Sequence, residues 1–170
     1  MCCTPRGCVP AVPLPRIPRT VHYLFGMTAD FGGRPFGYAQ FLAVKSAHDV
    51  LAPDSMPLHY KHLPTGQWWE RAAPYLRLRR IEASLESYRG RRFTSYAHMA
   101  DVARLQLLID FGGIYLDLDV LVANSMEALR HHDVVMGAEA YGERRVGLCN
   151  AAILAVANAS FLHRMLAEYD

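Results

Sequence analysis

The feature that most constrains the fold of this chain is an apolar stretch containing two aspartates, GGIYLDLDVLV, from Gly112 to Val122. Buried carboxylates cost free energy unless they are ion-paired, hydrogen-bonded or bound to a metal. Alternate residues of a strand share one face of a sheet. We therefore predict that Tyr115, Asp117 and Asp119 lie together on one face of a strand, while the intervening aliphatic residues face a core.

Two carboxylates near the carboxyl end of a strand are well placed to bind a ligand, since open α/β sheets bind ligands at that edge. Carboxylate oxygens suit Mg²⁺ or Mn²⁺ and leave positions for phosphate oxygens. Two other interpretations stay open at this point. One is a solvated strand end, and the other is the nucleophile strand of a haloacid-dehalogenase-type phosphatase, which IYLDLDVLV resembles. That phosphatase fold needs a later lysine, and no lysine follows Asp119.

The segment before this strand, YAHMADVARLQLLIDF, predicts a long helix that begins after Thr94 or Ser95 and ends at the Gly112–Gly113 pair. Asp101 and Arg104 are three residues apart and so share one helical face. A surface ion pair is one interpretation, stabilising by less than ~1 kcal/mol. A functional pair is the other, because the helix is largely apolar and leads directly into the strand with the two aspartates.

The length and the net charge of the chain limit the classes of protein to which it can belong. The chain has 170 residues, enough for one domain with a sizeable core, and a net charge of +2, which disfavours a nucleic-acid-binding surface. No apolar run reaches 18 residues, so we predict no transmembrane helix. Residues 1–16 contain four prolines and are predicted to be a disordered lead, with one catalytic domain over 17–170 that is truncated at its C-terminus.

Strand and helix patterns alternate along the domain, which predicts an α/β fold with a mainly parallel sheet flanked by helices. Predicted strands lie at 20–26, 57–62, 112–122, 133–140 and 150–156. Predicted helices lie at 38–51, 66–88 (mostly helical, broken near Pro74), 96–111, 125–130 and 158–169.

The stretch MADVARLQLLIDFGGIYLDLDV, from Met99 to Val120, resembles the SDxxRxxxLxxxGGxYxDxD signature of the sugar-binding DXD glycosyltransferases, the family 32 group. IPRTVHYLFG resembles that family's first strand, IPKxIHxxW. PLHYKHLPTGQWWE and CNAAILAVANASFLHRML are similar to its later segments, so the resemblance runs from Ile17 to Asp170. It implies a GT-A fold, which is a nucleotide-binding α/β sandwich, and a nucleotide-sugar donor.

The resemblance also implies roles for individual residues. Asp119 is expected to hold Mn²⁺ or Mg²⁺, and Asp117 to contact the ribose or sugar and assist the metal, so these two are the implied catalytic and metal-binding residues. Asp101, Arg104 and Asn150 are expected to bind the donor sugar or its phosphates.

His22 and Phe25 are expected to lie beside the nucleotide base. Here the chain departs from the family pattern, because Leu24 and Phe25 stand where the usual tryptophan would be. Ala100 likewise replaces the serine that opens the helical part of the signature.

Taken together, the resemblance implies a metal-dependent hexosyltransferase that moves a hexose from a UDP- or GDP-linked donor to a glycan, glycolipid or protein acceptor with retention. A donor-binding but non-catalytic domain is the alternative outside the enzyme class. The family favours the Golgi lumen or Golgi membrane, with the cytoplasm as the alternative. Membrane association stays possible even though no transmembrane segment is predicted.

Overall fold

A computed structural model describes residues 3–4, 7–8, 16–33, 35–82, 87–93, 95–142 and 144–169. The described strands, in chain order, are β1 (Cys3–Thr4), β2 (Gly7–Cys8), β3 (Val21–Phe25), β4 (Pro57–Tyr60), β5 (Arg77–Arg80), β6 (Ser87–Tyr88), β7 (Arg91–Arg92), β8 (Gly113–Leu116), β9 (Val134–Tyr141) and β10 (Arg144–Ala155). The described α-helices are α1 (Tyr38–Leu51), α2 (Gln67–Ala72), α3 (Tyr96–Phe111) and α4 (Ser160–Ala167). Short 3₁₀ turns occur at Phe31–Gly33, Ala73–Tyr75 and Glu127–His131.

One six-stranded sheet organises the molecule, in the order β5–β4–β3–β8–β10–β9. The first four strands in that order are mutually parallel, while β10 pairs antiparallel with both β8 and β9. The helices that connect β3, β4 and β8 allow the parallel pairing, since parallel strands need a long crossover. The prediction of an α/β fold with a mainly parallel sheet is confirmed.

Helices cover both faces of this sheet. Val21 and Tyr23 of β3 and Ile114 of β8 pack with α1 and α2 on one face. Leu24 and Tyr115, at the alternate positions, pack with α3 and α4 on the other face. Burying a large apolar side chain stabilises a fold by ~1.5–3 kcal/mol, so these two layers fix the sheet between the helices.

Helix α3 has the predicted bounds and the predicted start. The Ser95 side chain accepts a hydrogen bond from the His98 backbone N–H at 3.3 Å, which caps the helix. The helix ends where Gly112 takes a positive φ of 63° and turns the chain into β8. Buried residues occur all around α3, so the helix lies deep between the sheet and α4.

The prediction of a mostly helical segment over 66–88 is wrong beyond Tyr75. Helix α2 and a 3₁₀ turn occupy its start, and then β5 pairs parallel with β4, with Leu78 opposite Leu58. Pro74 cannot continue the backbone hydrogen bonding of a helix, which explains the break. The sequence pattern did not indicate a strand here because β5 is an exposed edge strand rich in arginine. Such strands lack a clear apolar alternation.

The Pro-rich lead is mostly outside the described residues. Within 1–16 the structure describes a short antiparallel pair, β1 with β2, and Arg16. The boundary between the lead and the domain therefore stays a prediction. Among the described residues, no helix combines the length and the apolar character needed to cross a membrane.

The Gly112 turn provides a stability test. A Cβ on Gly112 would lie 2.6 Å from the Ala157 backbone nitrogen, and its φ of +63° is unfavourable for other residues. We expect Gly112→Ala to lower the free energy of unfolding by about 3 kcal/mol, measured by denaturant titration.

Gly142→Ala is the matched control, because Gly142 has a φ of +60° but no described atom within 4 Å of the added Cβ. It should cost only about 1 kcal/mol from backbone strain. Equal losses in the two variants would show that the close packing of the Gly112 turn is unimportant.

Candidate active site

The two aspartates lie just beyond β8, not within the strand as predicted. The Asp117 N–H donates to the Ala151 carbonyl of β10 at 2.8 Å, and the Val120 N–H donates to the Asp117 carbonyl at 3.0 Å, which closes a turn. Leu118 is buried within this turn, whereas Asp119 is exposed. A buried leucine in a turn has the same spacing as one in a strand, so the sequence pattern could not separate the two.

Arg104 is the centre of the site. It is only 6% exposed, on α3. One of its terminal nitrogens, Nη1, donates to Asp117 Oδ2 at 3.2 Å and to the Asn150 backbone oxygen and Oδ1 at 2.8 and 3.1 Å. Nη2 lies 3.4 Å from Asp101 Oδ1, and Nε donates to the Ala100 carbonyl at 3.3 Å. The guanidinium therefore joins α3, the turn after β8, and β10.

Tyr115 completes the environment of Arg104. Its hydroxyl donates to Asp117 Oδ1 at 2.7 Å, and its ring centroid lies 4.8 Å from the Arg104 guanidinium carbon. Burial holds the pKa of Tyr115 well above its ordinary value, so the hydroxyl stays a hydrogen-bond donor. The only indication of this role in the sequence is the spacing of Tyr115, which lies two residues before Asp117.

The charge of Asp117 is set by opposing effects. Burial raises the pKa of its carboxyl and the nearby Asp119 adds to this, while Arg104 and the Tyr115 hydroxyl lower it. Both carboxylate oxygens already have partners, Oδ1 in Tyr115 and Oδ2 in Arg104. These two contacts fix the orientation of Asp117, and the later lysine that the haloacid-dehalogenase interpretation needs is absent after Asp119.

Asp101 is held in place from two directions. Its Oδ1 accepts a hydrogen bond from the Asn150 side-chain amide at 2.8 Å, and its Oδ2 accepts one from the Tyr169 hydroxyl at 3.0 Å. Burial, followed by the bond to Asp101, raises the pKa of Tyr169 to about 12. The structure thus brings together Asp101, Arg104, Asp117 and Asn150, which we call the Arg104 cluster. Tyr169 gave no sequence signal, because it lies 68 residues from Asp101.

Asp119 is exposed, whereas Asp117 is half-buried. The Asp119 side chain makes no hydrogen bond or ion pair with any residue in the described part of the chain. An accessible carboxylate with free lone pairs is the kind of ligand that Mg²⁺ and Mn²⁺ take. Among the described residues no three His, Cys, Asp or Glu side chains form a group that could hold a metal ion, so the protein ligands available here are limited to Asp119, with Asp117 beside it.

Phe25 lies at the carboxyl end of β3 but is buried. Its ring stacks on Phe31 at 5.5 Å between centroids and meets the edge of Phe36 at 5.4 Å. Phe31 is the more accessible member of this aromatic group and has a positive φ of 56°. Contact between Phe25 and a nucleotide base stays a prediction.

His22 lies near the amino end of β3, where its contacts are structural. Its Nε2 is 3.0 Å from the Gly112 carbonyl, and its Nδ1 is 3.1 Å from Nε2 of His59. Burial lowers the pKa of His22 to about 4, and burial, with the nearby His22 as a smaller cause, lowers that of His59 to about 4. None of these partners belongs to the Arg104 cluster, so the predicted role of His22 at the base gains no support.

Comparison with solved structures places this architecture in a known class. The PaToxG glycosyltransferase superposes with a TM-score of 0.58 at 16% identity, covering 91% of this chain and 61% of that one. The galactosyltransferase LgtC, solved in complex with donor and acceptor sugar analogs, superposes with a TM-score of 0.50 at 15% identity, covering 89% and 66%. At these identities the likeness concerns the fold, which is of the GT-A glycosyltransferase type.

The sequence comparisons identify the region that carries the site. Residues 55–136 match the glycosyltransferase sugar-binding region containing the DXD motif. Over 163 residues the chain is 37% identical to Glucan organizing enzyme 1 of Cryptococcus neoformans var. grubii serotype A, an alignment that covers 91% of this chain and 44% of that protein. This chain thus spans less than half the length of that relative. The matched region and the GT-A type of fold confirm the resemblance to the DXD glycosyltransferases seen in the sequence.

The Arg104 cluster should dominate local stability. Replacing Arg104 with Met leaves Asp101 and Asp117 without their cation, and removing one partner of a buried ion pair is strongly destabilising. We expect the free energy of unfolding to fall by on the order of 3 kcal/mol, measured by chemical denaturation.

Arg164→Met on α4 is the control for this variant. Arg164 is exposed, and its side chain has no hydrogen-bond or ion-pair partner in the described chain, so the change should stay within about 0.5 kcal/mol. A comparable loss in both variants would contradict the assigned role of Arg104.

The buried histidines predict a pH dependence of stability. The folded pKa values of His22 and His59, both about 4, lie below the ordinary value of 6.5, so the unfolded chain binds these protons first as the pH falls. Stability should be constant above about pH 6.5 and should decrease from there towards pH 4. Between pH 7 and 5 we expect a loss of about 3 kcal/mol, measured by denaturant unfolding at each pH.

His98→Gln is the control for the pH series, because His98 is exposed on α3. This variant should keep the full loss, whereas His59→Phe should reduce it. An unchanged pH dependence in His59→Phe would contradict the assignment to the buried pair.

Proposed function

We propose that this chain is the donor-binding domain of a metal-dependent glycosyltransferase that moves a hexose from a UDP- or GDP-linked donor to a glycan, lipid or protein acceptor, with retention. The observation that carries this proposal is the contrast between the two aspartates after β8. Asp117 is fixed by Arg104 and Tyr115, while Asp119 is exposed and has no hydrogen-bond or ion-pair partner among the described residues. The GT-A fold and the matched sugar-binding region support glycosyl transfer as the reaction class.

In this proposal Asp119 is the direct ligand of Mn²⁺ or Mg²⁺. Asp117, whose oxygens are both hydrogen-bonded, contributes its negative charge and positions the turn that carries Asp119. When bound, the ion supplies Lewis-acid stabilisation of the negative charge on the departing diphosphate.

The Arg104 cluster is the proposed donor-sugar subsite. Asp101 and the Asn150 amide present hydrogen-bonding groups whose orientation is fixed by Arg104 and Tyr169. Fixed polar groups of this kind bind sugar hydroxyls without an entropic cost of reordering at the moment of binding. The Arg104 guanidinium lies within hydrogen-bond distance of Asp117 and balances its negative charge before the donor arrives.

For the nucleotide base we propose the aromatic group of Phe25 and Phe31, at the carboxyl end of β3. This edge of the parallel strands is where α/β sheets bind nucleotides. His22 is not included, because its nitrogens are directed to Gly112 and His59. A Golgi location for the whole protein remains a prediction of the family resemblance alone.

The proposal is tested by calorimetric titration of UDP, GDP and their hexose conjugates into the chain, with and without Mn²⁺. We expect one nucleotide series to bind only when Mn²⁺ is present. Asp119→Asn removes the exposed charge without changing size, so it should weaken the Mn²⁺-dependent binding at least tenfold.

Asp110→Asn is the matched control, since Asp110 is an exposed aspartate of α3 bonded only to Gln106 within the described chain. It should bind the donor like the unchanged chain. Intact metal-dependent binding in Asp119→Asn would refute the metal-ligand assignment. A turnover assay run beside the titration separates transfer from the alternative of donor binding without catalysis.

A further inference from the structure

A cleft lies beside β3, β4 and β5, and none of the residues that line it belongs to the Arg104 cluster. Its volume is about 660 Å³, within the range of small-ligand sites. Its lining includes Thr20 and Ser55, which precede β3 and β4, and Phe111, the last residue of α3. These residues stand at the amino ends of parallel strands, whereas Asp117 and Asp119 follow the carboxyl end of β8.

The hydrogen-bond geometry fixes which ring nitrogens in this cleft carry protons. A carbonyl oxygen only accepts, so Nε2 of the neutral His22 must donate to Gly112 and its Nδ1 must be an acceptor. His59 Nε2 must then donate to that Nδ1. This leaves Nδ1 of His59 as an acceptor that has no partner in the described chain.

That nitrogen is accessible from the cleft. Among the described residues, no buried side-chain nitrogen or oxygen lacks a hydrogen-bond partner, so the unpartnered Nδ1 keeps contact with open space. His59 itself lines the cleft. A ligand donor, such as a hydroxyl group, can therefore reach His59 Nδ1. A metal ion finds only this one free imidazole nitrogen and does not fit.

A positive charge lies next to this acceptor. Arg79 of the edge strand β5 is paired in register with His59, so the two side chains share a face of the sheet, and Arg79 also lines the cleft. Within the described chain Arg79 has no ion-pair or hydrogen-bond partner. A free guanidinium favours a carboxylate or a phosphate, which it can bind through two parallel hydrogen bonds.

The rest of the lining suits a polyhydroxylated ring. The hydroxyls of Thr20 and Ser55 have no side-chain partner in the described chain and can donate or accept. Phe111 is 60% exposed and offers an aromatic face to an apolar ring surface. Arg80 also lines the cleft, but its guanidinium lies 3.7 Å from the Glu82 carboxylate, so Arg79 is the cation left for an anion. Convergent hydroxyls, one acceptor, this cation and one exposed aromatic ring make a combination that recognises both an anion and a sugar.

We propose that this cleft is a second binding site, separate from the donor site, for an acidic saccharide. The carboxylate or phosphate of the ligand pairs with Arg79, a ring hydroxyl donates to His59 Nδ1, and the sugar ring lies against Phe111. Neutral sugars bind more weakly because they leave the Arg79 guanidinium unpaired.

The test is a ¹H–¹⁵N NMR titration of the chain with glucuronic acid, glucose 6-phosphate and glucose as probes. No nucleotide sugar or metal is present, so the outcome does not depend on the proposed transferase function. We expect at least one acidic sugar to bind at least fivefold more tightly than glucose and to shift the His59 imidazole resonances. The two acidic probes distinguish a carboxylate-bearing ligand from a phosphorylated one.

Arg79→Gln should weaken acidic-sugar binding at least fivefold. Arg77→Gln is the matched control, because Arg77 is an exposed arginine of the same strand that does not line the cleft. Both substitutions are at exposed positions, so folding should be retained, which the amide spectrum verifies. Any of three results would overturn the proposal. They are equal effects of the two substitutions, equal affinity for glucose and the acidic sugars, and no shift of the His59 imidazole resonances with any probe.

Discussion

The buried guanidinium of Arg104 is the interaction on which the rest of the site depends. A charge this deeply buried is tolerable only with partners on several sides, and here they come from α3, the turn after β8 and β10. Ala100 and Ala103 keep the buried side of α3 small near Arg104. Because three elements meet at one cation, the positions of Asp101, Asp117 and Asn150 are coupled, and none can move without leaving a charge or an amide unpaired.

Helix α3 contributes residues both to the candidate active site and to the cleft. The turn after β8 carries the acidic pair and contacts Arg104, while Gly112 bonds to His22 and Phe111 lines the cleft that contains His59. The link is the Gly112–Gly113 turn. The carbonyl of Gly112 orients His22, and a Cβ on Gly113 would lie 3.1 Å from His22 Nε2. A glycine pair that the sequence marks as a helix stop is thus also a packing element between two sites.

Sequence reasoning succeeded where one local pattern dominated. Helices α1 and α3 have the predicted bounds. Helix α3 begins at a serine cap and ends at a glycine, and α1 ends just before Pro53. It failed at β5, where an edge strand of arginines has neither helical nor strand periodicity, and at Asp117, where a turn has the same apolar spacing as a strand. Tyr169 could not be found, because its contact with Asp101 depends on where α4 packs against α3.

The sequence by itself determined the α/β class, the mainly parallel sheet, the helix that carries Asp101 and Arg104, and the family to which the DXD segment is related. These follow from local periodicity, from helix start and stop signals, and from motif spacing. Only the tertiary structure decided that Asp117 is held by Tyr115 and Arg104 while Asp119 has no partner in the described part of the chain, and that His22 bonds to Gly112 and His59. Hydrogen-bond partners and burial depend on residues distant in the chain, and it is these long-range contacts that give two chemically identical aspartates different environments.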